Sequence, residues 1–205
     1  MTRQHIDRFF TALSRRFTGA ATVIITGAAA GAVFGSPRAS RDIDFAIRLR
    51  PRMGRQWEAC EAAIRQAVAQ TGLDVNYAED IDRWGMISLL DYARQTRFYR
   101  RFGTIEVRVL DPAYWAIGKL TRFLQPDERD VIAVLRRQRL PWARAVRVWG
   151  RALRKSPRSL ERVRFRQQVE HFLETHGRTI WGASFDAHQA VLTFHRAAGV
   201  SVREQ

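Results

Sequence analysis

Two aspartates separated by one apolar residue are the first candidates for chemistry: Asp42 and Asp44, on either side of Ile43. Alternate side chains of a β-strand point to the same face, so this spacing predicts two neighbouring carboxylates, with Ile43 pointing into the protein. Like charges held this close repel each other unless a cation lies between them. Because Mg²⁺ prefers carboxylate oxygens together with substrate phosphates, the pair predicts a metal and phosphate site. The alternative is the acidic solvent face of an edge strand.

The residues before this pair predict the elements that would position it. Residues 21–26 form an apolar, β-branched run that is typical of a buried strand. Small residues follow from Gly27 to Gly31, where a backbone can turn tightly or approach a ligand. A short Ala-rich helix is predicted at 28–34, then a loop marked by Gly35, Ser36 and Pro37, and then the aspartate strand at 42–49.

The rest of the chain predicts an α+β order. Amphipathic spacing predicts helices at 3–16 and from Trp57 to near Gly72, and alternation predicts strands at 73–78 and 104–110. Asp111 and Pro112 are typical of a helix start, whereas 79–103 fits either strand or helix. Beyond Pro112 only helices are predicted, with breaks at Pro126, Pro141, Pro157 and Gly177. We therefore expect a mixed β-sheet with flanking helices in a domain at 1–140 and an all-helical basic region at 141–205.

The composition indicates a globular chain with a polyanionic partner. The chain has 205 residues, is 46% hydrophobic and carries a net charge of +15, which favours binding to phosphates. It has neither an apolar run long enough to span a membrane nor a secretory signal pattern at residues 1–10. The lone Cys60 cannot form an internal disulfide and is expected to pack in a helix. These features favour a reducing, cytoplasmic location.

The basic residues cluster between Arg136 and Arg166. This stretch has twelve basic residues and one acid, Glu161, so its net charge is 12 − 1 = +11. Such clustering predicts a surface that faces nucleic acid. Trp142, Trp149 and Phe165 are interleaved with the charges and could stack on RNA bases, although aromatic residues at helical spacing more often pack in a core.

Together these motifs resemble the nucleotidyltransferase (DNA polymerase beta-like) superfamily. Gly27-Ala28 is followed by 13 residues and then by Asp42-Ile43-Asp44-Phe45. The sequence Arg38-x-Ser40-x-Asp42-Ile43-Asp44 resembles that of the AbiEii-type nucleotidyltransferases, which include toxins of toxin–antitoxin systems. Asp111-Pro112, Lys119-Leu120 and Glu128-Arg129-Asp130 resemble later motifs of that group, so the resemblance covers roughly residues 20–140.

The resemblance implies roles for particular residues. Asp42 and Asp44 would hold two Mg²⁺ ions that bind an NTP, and a third carboxylate would complete the site. Asp74 is the first choice for that carboxylate and Glu106 the second. Lys119 would contact the triphosphate, and Asp130 would orient Lys119 or the nucleotide. The remaining residues near the nucleotide phosphates would be Gly27, Ala28, Arg38 and Ser40.

Two departures from the family pattern affect efficiency more than fold. Ala28 stands where the family usually has Gly or Ser, which removes a hydroxyl, and Ala133 stands where a further acid often follows. The resemblance thus implies transfer of a nucleoside monophosphate from an NTP to an acceptor. The acceptor would be RNA such as tRNA, and the enzyme would act as the toxin of a toxin–antitoxin or phage-defence system with a cognate antitoxin. The alternatives are an acceptor that is a partner protein or small molecule, and a non-catalytic nucleic-acid-binding or antitoxin-like protein.

Overall fold

A computed structural model describes residues 1–36, 42–50, 54–89 and 91–200 of the chain. The α-helices in these ranges are α1 (Arg3–Ser14), α2 (Gly27–Phe34), α3 (Gly54–Thr71), α4 (Pro112–Arg122), α5 (Gln125–Arg137), α6 (Trp142–Lys155), α7 (Leu160–Trp181) and α8 (Ala187–Ala198). The strands are β1 (Ala20–Ile25), β2 (Asp42–Arg50), β3 (Asp74–Ala78), β4 (Arg83–Trp84), β5 (Ile87–Ser88), β6 (Thr96–Phe102) and β7 (Ile105–Leu110). The predicted α+β class is confirmed.

The main sheet has five strands in the order β3-β2-β1-β7-β6. Strand β1 lies at its centre, antiparallel to β2 and parallel to β7. Strand β3 runs parallel to β2, and β6 runs antiparallel to β7. The sheet is therefore mixed, as predicted, and the aspartate strand β2 lies between the central strand and the edge strand β3.

The contacts divide the chain into two compact units. Unit 1 comprises residues 1–81 and 93–110, which include the five-stranded sheet, and unit 2 comprises 82–92 together with the residues from Asp111 onward. The domain boundary predicted at residue 140 lies inside unit 2, because α4 and α5 pack against α6 and α7. In the undecided segment 79–103, the structure forms β4, β5, a short 3-10 helix and the whole of β6.

In unit 1, helix α1 covers one face of the sheet. The rings of Phe9 and Phe10 lie 6.0 and 5.7 Å from that of Phe45 on β2, and all three side chains are fully buried. Since side chains alternate along a strand, Phe45 and Asp44 point to opposite faces. Helix α1 therefore covers the face opposite to the two aspartates. Cys60 is buried on α3, and desolvation raises the pKa of its thiol to about 12, as befits a packing residue.

Unit 2 combines α4 to α8 with the β4–β5 hairpin. Asp111 caps α4 as predicted, because its carboxylate accepts from the backbone N–H of Ala113. Helices α6 and α8 approach so closely that a Cβ on Gly150 would lie 2.6 Å from the Ala197 Cβ. Trp149 and Phe165 are fully buried, so the structure favours the core interpretation of these two aromatic residues over RNA stacking.

The predicted helix break at Gly177 is wrong. Helix α7 continues through Gly177 to Trp181 and is followed there by Gly182, whose φ is +95°. A Cβ on Gly177 would lie 2.0 Å from the ring of Phe185, so this glycine provides space for close packing rather than a chain break. In the described ranges, no helix is long and apolar enough to cross a membrane.

Replacing Gly177 by alanine should destabilise unit 2 by about 1–3 kcal/mol, because the added methyl group must displace the Phe185 ring. Helix propensity acts in the opposite direction by about 1 kcal/mol, so any net destabilisation reports the clash. Urea denaturation of Gly177→Ala, Phe185→Leu and the double variant gives the coupling energy. Additive effects of the two substitutions would contradict the packing role.

Candidate metal and nucleotide site

Four polar residues share one face of β2 and β3; we call them the acidic face. Asp42 is in register with Asp74, and Asp44 is in register with Asn76. Between the aspartates, Ile43 is fully buried, as the alternation predicted. Asp42 and Asp44 are half-buried, whereas Asp74 and Asn76 are exposed. The acidic face is therefore open to a ligand, whereas the opposite face of β2 is buried at Ile43.

The amide of Asn76 lies between the two carboxylates. Its Nδ2 donates to Asp42 Oδ2 at 2.8 Å and to Asp44 Oδ1 at 3.1 Å. An amide nitrogen carries partial positive charge, so these two bonds offset part of the repulsion between the aspartates. The sequence reasoning missed Asn76, although the alternation of Asp74, Val75 and Asn76 places it on the same face as Asp74.

Gly27 makes room for the carboxylate of Asp44. It has a φ of +55°, and a Cβ at this position would lie 1.8 Å from Asp44 Oδ2. Any other residue would therefore be strained in its backbone and would also displace the carboxylate. The backbone N–H of Thr26 donates to the Asp44 carbonyl at 2.9 Å, which joins the end of β1 to β2 at this point.

Thr26 is a second residue that the sequence reasoning missed. It occupies the N-cap position of α2, and its side chain makes no capping bond to the helix. The residue is 3% exposed, and its Oγ1 has no hydrogen-bond partner in the structure as described. A buried hydroxyl without a partner is unusual in proteins, which normally satisfy such atoms. Its signal in the sequence is a threonine immediately before the glycine of the turn.

The two candidates for the third carboxylate differ in their surroundings. Asp74 lies directly beside Asp42 across the β2–β3 pair. Glu106 on β7 is in register with Thr22 on β1, and Thr22 is in register with Arg48 on β2. Arg48 lies four residues from Asp44, so Glu106 is displaced from Asp44 by about 13 Å along the strand direction. A hydrogen bond from Arg108, above all, lowers the pKa of Glu106. Asp74 is therefore the better-placed candidate.

Lys119 and Asp130 lie in unit 2, where they contact each other. The Lys119 Nζ donates to Asp130 Oδ2 at 2.7 Å and to Asp127 Oδ1 at 3.0 Å. Lys119, Asp127 and Asp130 are each at least 95% buried. Arg122 adds two hydrogen bonds to Asp127, so two cations and two carboxylates form one neutral network. The predicted contact between Asp130 and Lys119 is present, whereas Asp127 was missed.

Asp127 gives this network a pH dependence. Burial acts to raise the pKa of its carboxyl, but hydrogen bonds from Arg122 and Lys119 outweigh burial and lower it below the ordinary 3.8. A lowered pKa in the folded state contributes stability that is complete above the pKa of the unfolded chain and is lost as the pH falls through the folded value.

We therefore expect the free energy of unfolding to decrease more steeply below about pH 4 in the wild type than in Asp127→Asn, which lacks this titration. Urea denaturation between about pH 7 and pH 3, followed by tryptophan fluorescence, measures the difference. Parallel pH profiles for the two proteins would contradict the role given to Asp127. Glu174→Gln, which removes an exposed carboxylate from α7, provides the control.

Some predicted site residues lie outside the described part of the chain. Arg38 and Ser40 fall between residues 36 and 42, so their roles stay predictions. Ala28 is the second residue of α2 and is half-buried. In the described ranges, no group of three or more His, Cys, Asp or Glu side chains is close enough to form a metal site. On the acidic face, Asp42 and Asp44 both contact Asn76, and Asp74 lies beside Asp42 on the neighbouring strand.

The fold and the acidic face define an α+β protein with a half-buried carboxylate pair beside a glycine turn. Comparisons of the chain with protein-family models, with curated proteins and with solved structures found no match.

Proposed function

We propose that the protein is a metal-dependent nucleotidyltransferase that moves a nucleoside monophosphate from an NTP to an acceptor hydroxyl. One observation carries the proposal: the carboxylates of Asp42 and Asp44 share one strand face, beside Gly27 and the start of α2. This arrangement combines ligands for a hard cation with backbone N–H groups at a helix N-terminus, which favour phosphate. The order of strand, glycine turn, helix and aspartate strand supports the same conclusion.

The residues of the acidic face fit Mg²⁺ by their chemistry. Asp42 and Asp44 would hold the metal, because both offer carboxylate oxygens on one face, and Asp74 lies beside Asp42 on the neighbouring strand. The Asn76 amide already indicates that the gap between the pair favours positive charge. When bound, Mg²⁺ would neutralise phosphate charge and lower the pKa of the acceptor hydroxyl.

The chain's own residues then have defined tasks. The acceptor hydroxyl oxygen forms a bond to the α-phosphorus, the bond from that phosphorus to the β-phosphate oxygen breaks, and pyrophosphate leaves with the electron pair. Asp74, the most exposed of the three carboxylates, receives the hydroxyl proton. The orphaned Thr26 hydroxyl offers a phosphate the hydrogen bond that Ala28 cannot make.

The basic surface of unit 2 supports RNA as the acceptor. Ten of the twelve basic residues between Arg136 and Arg166 are exposed, with Arg162 and Arg166 half-buried. Such a surface attracts a polyanion through counterion release. Action on tRNA as the toxin of a toxin–antitoxin system, with a cognate antitoxin as partner, is part of the proposal. The possible roles of Arg38 and Ser40 at the phosphates belong to it as well.

The test is transfer of label from each of the four α-³²P-labelled NTPs, with Mg²⁺, to total tRNA or to cell protein, resolved on denaturing gels. We expect Mg²⁺-dependent labelling of RNA that Asp42→Asn and Asp44→Asn both abolish. Labelling of protein instead would refute RNA as the acceptor but retain the reaction. Absence of any transfer, together with absence of Mg²⁺-dependent NTP binding, would refute the proposed function.

A second function, nucleic-acid binding without catalysis, is favoured by one observation. Asn76 bonds to Asp42 and Asp44 within unit 1. Lys119 bonds to Asp127 and Asp130 within unit 2, so these side chains already have protein partners without a ligand. This function predicts RNA binding that Asp42→Ala and Asp44→Ala leave intact. It also predicts that titration with Mg²⁺ in a calorimeter gives the same heat signal for the wild type and for Asp44→Asn.

A further inference from the structure

A cavity of about 630 Å³ opens in unit 2 at the start of α7. Its volume lies within the range of roughly 300–1,000 Å³ that is typical of ligand pockets. Three arginines and three apolar residues account for most of its lining: Arg158, Arg162, Arg166, Leu153, Val163 and Val200. We call it the arginine pocket. The pocket belongs to unit 2, whereas the acidic face belongs to unit 1.

The arginine pocket carries positive charge that the neighbouring acids offset only in part. Within the described part of the chain, the guanidinium groups of Arg158 and Arg162 have no hydrogen-bond or ion-pair partner, and no carboxylate lines the pocket. The nearest acid in sequence is Glu161, which accepts the backbone N–H of Met86 at 2.7 Å. The charge is therefore available to an anionic ligand.

Arg166, in the pocket wall, forms an ion pair with Glu170 but lacks a hydrogen bond at Nε. Its Nε is buried and has no hydrogen-bond partner in the described structure. Glu170 lies 3.7 Å from this Nε, beyond hydrogen-bond distance, and Glu170 is itself bonded to His195 at 2.5 Å. A buried guanidinium N–H without an acceptor is costly, so a ligand oxygen at this position would stabilise the protein.

The backbone adds to the field of these side chains. Ser159 caps α7 by accepting the N–H of Arg162, and the 22-residue helix presents its positive end at this point. Arg162 and Arg166 are one turn apart, about 6 Å along the helix, with Arg158 just before the cap. Two features therefore coincide at the pocket: the unpaired guanidinium groups of Arg158 and Arg162, and the positive end of a helix.

We propose that the arginine pocket binds a phosphate group of an RNA chain. Guanidinium groups form paired hydrogen bonds with phosphate oxygens, which makes arginine the residue suited to this anion. The apolar side of the pocket, formed by Leu153, Val163 and Val200, suits the adjoining ribose or base. Helices α6 and α7 carry further exposed arginines, which favours an extended polyanion over an isolated phosphate. Binding here does not depend on the proposed transferase activity.

The test measures binding of a fluorescently labelled single-stranded RNA by anisotropy over a range of salt concentrations. The double variant Arg158→Gln/Arg162→Gln should bind at least about tenfold more weakly, with a salt slope reduced by about 0.7 for each RNA phosphate that the variant no longer neutralises. The matched double variant Arg129→Gln/Arg178→Gln removes the same charge from exposed positions of α5 and α7 outside residues 136–166 and should change affinity less than about threefold. Equally weakened binding in both variants would mean diffuse attraction and would overturn the proposal.

Three further measurements keep the proposal testable. Val163→Glu places a negative charge in the pocket and should abolish binding, whereas Leu160→Glu on the same exposed turn should not. Competition by inorganic phosphate or polyglutamate as strong as that by unlabelled RNA would overturn RNA as the ligand. Asp44→Asn should bind RNA normally, so loss of catalysis and loss of RNA binding are distinguished.

Discussion

Replacing Asp44 by asparagine should lower the rate of nucleoside monophosphate transfer by about a thousandfold or more. The substitution removes a charged metal ligand from the acidic face, and metal coordination contributes several kcal/mol to such reactions. Asparagine has nearly the same shape, so it still fits against Gly27, where even a Cβ would lie 1.8 Å from the carboxylate. The measurement is label transfer to RNA under single-turnover conditions.

The same substitution should not destabilise the fold. Removing one of two neighbouring negative charges relieves repulsion, so the melting temperature of Asp44→Asn should equal or exceed that of the wild type. Asp82→Asn, which removes an exposed carboxylate in unit 2, is the control and should retain full activity. A catalytic rate in Asp44→Asn within threefold of the wild type would falsify the metal-ligand role.

Replacing Lys119 by methionine should destabilise unit 2 by about 3–5 kcal/mol, because it removes the cation that bonds to both buried carboxylates. The Lys119 ammonium is 3% exposed and bonds to both Asp127 and Asp130. Five of the six tryptophans lie in unit 2, so tryptophan fluorescence during urea denaturation reports mainly on this unit.

Arg122→Gln provides the comparison for Lys119→Met. The Arg122 side chain is 53% exposed, so solvent screens its bonds to Asp127, and its removal should cost about 1 kcal/mol or less. Similar stability losses in the two variants would contradict the difference in burial. Reduced transferase activity in Lys119→Met is evidence for a phosphate contact only when the folded fraction has been measured.

Local patterns predicted most helices and strands of the described chain. Alternation was sufficient to predict β2 and β7, and helical spacing was sufficient to predict α1 and α3, because each pattern repeats over many residues. Segment 79–103 was undecidable because β4 and β5 have two residues each and are held by partners distant in sequence. Gly177 was misjudged for a similar reason, since its role depends on Phe185 and not on its neighbours in the helix.

The sequence predicted the charged residues of the candidate site but not its neutral polar residues. Asp42 and Asp44 were expected from their spacing and Asp74 from the family resemblance, and register places all three on one face. Asn76 and Thr26 were overlooked because an amide and a hydroxyl gain significance only when their partners, or the lack of them, are known. Asp127 lies three residues before Asp130 on α5, a spacing that places both on one helix face.

The β4–β5 hairpin interleaves the two units along the chain. It comes from the first half of the sequence but is held in unit 2, where Glu161 accepts the N–H of Met86 and Ser156 accepts that of Ser88. The chain therefore passes between the units three times, near residues 81, 92 and 110. No single cleavage of the chain can yield both units intact. A fragment that ends at residue 110 keeps the hairpin but lacks Ser156 and Glu161, which accept its N–H groups, and a fragment that starts at residue 111 lacks the hairpin. Both units therefore have to form from one continuous chain.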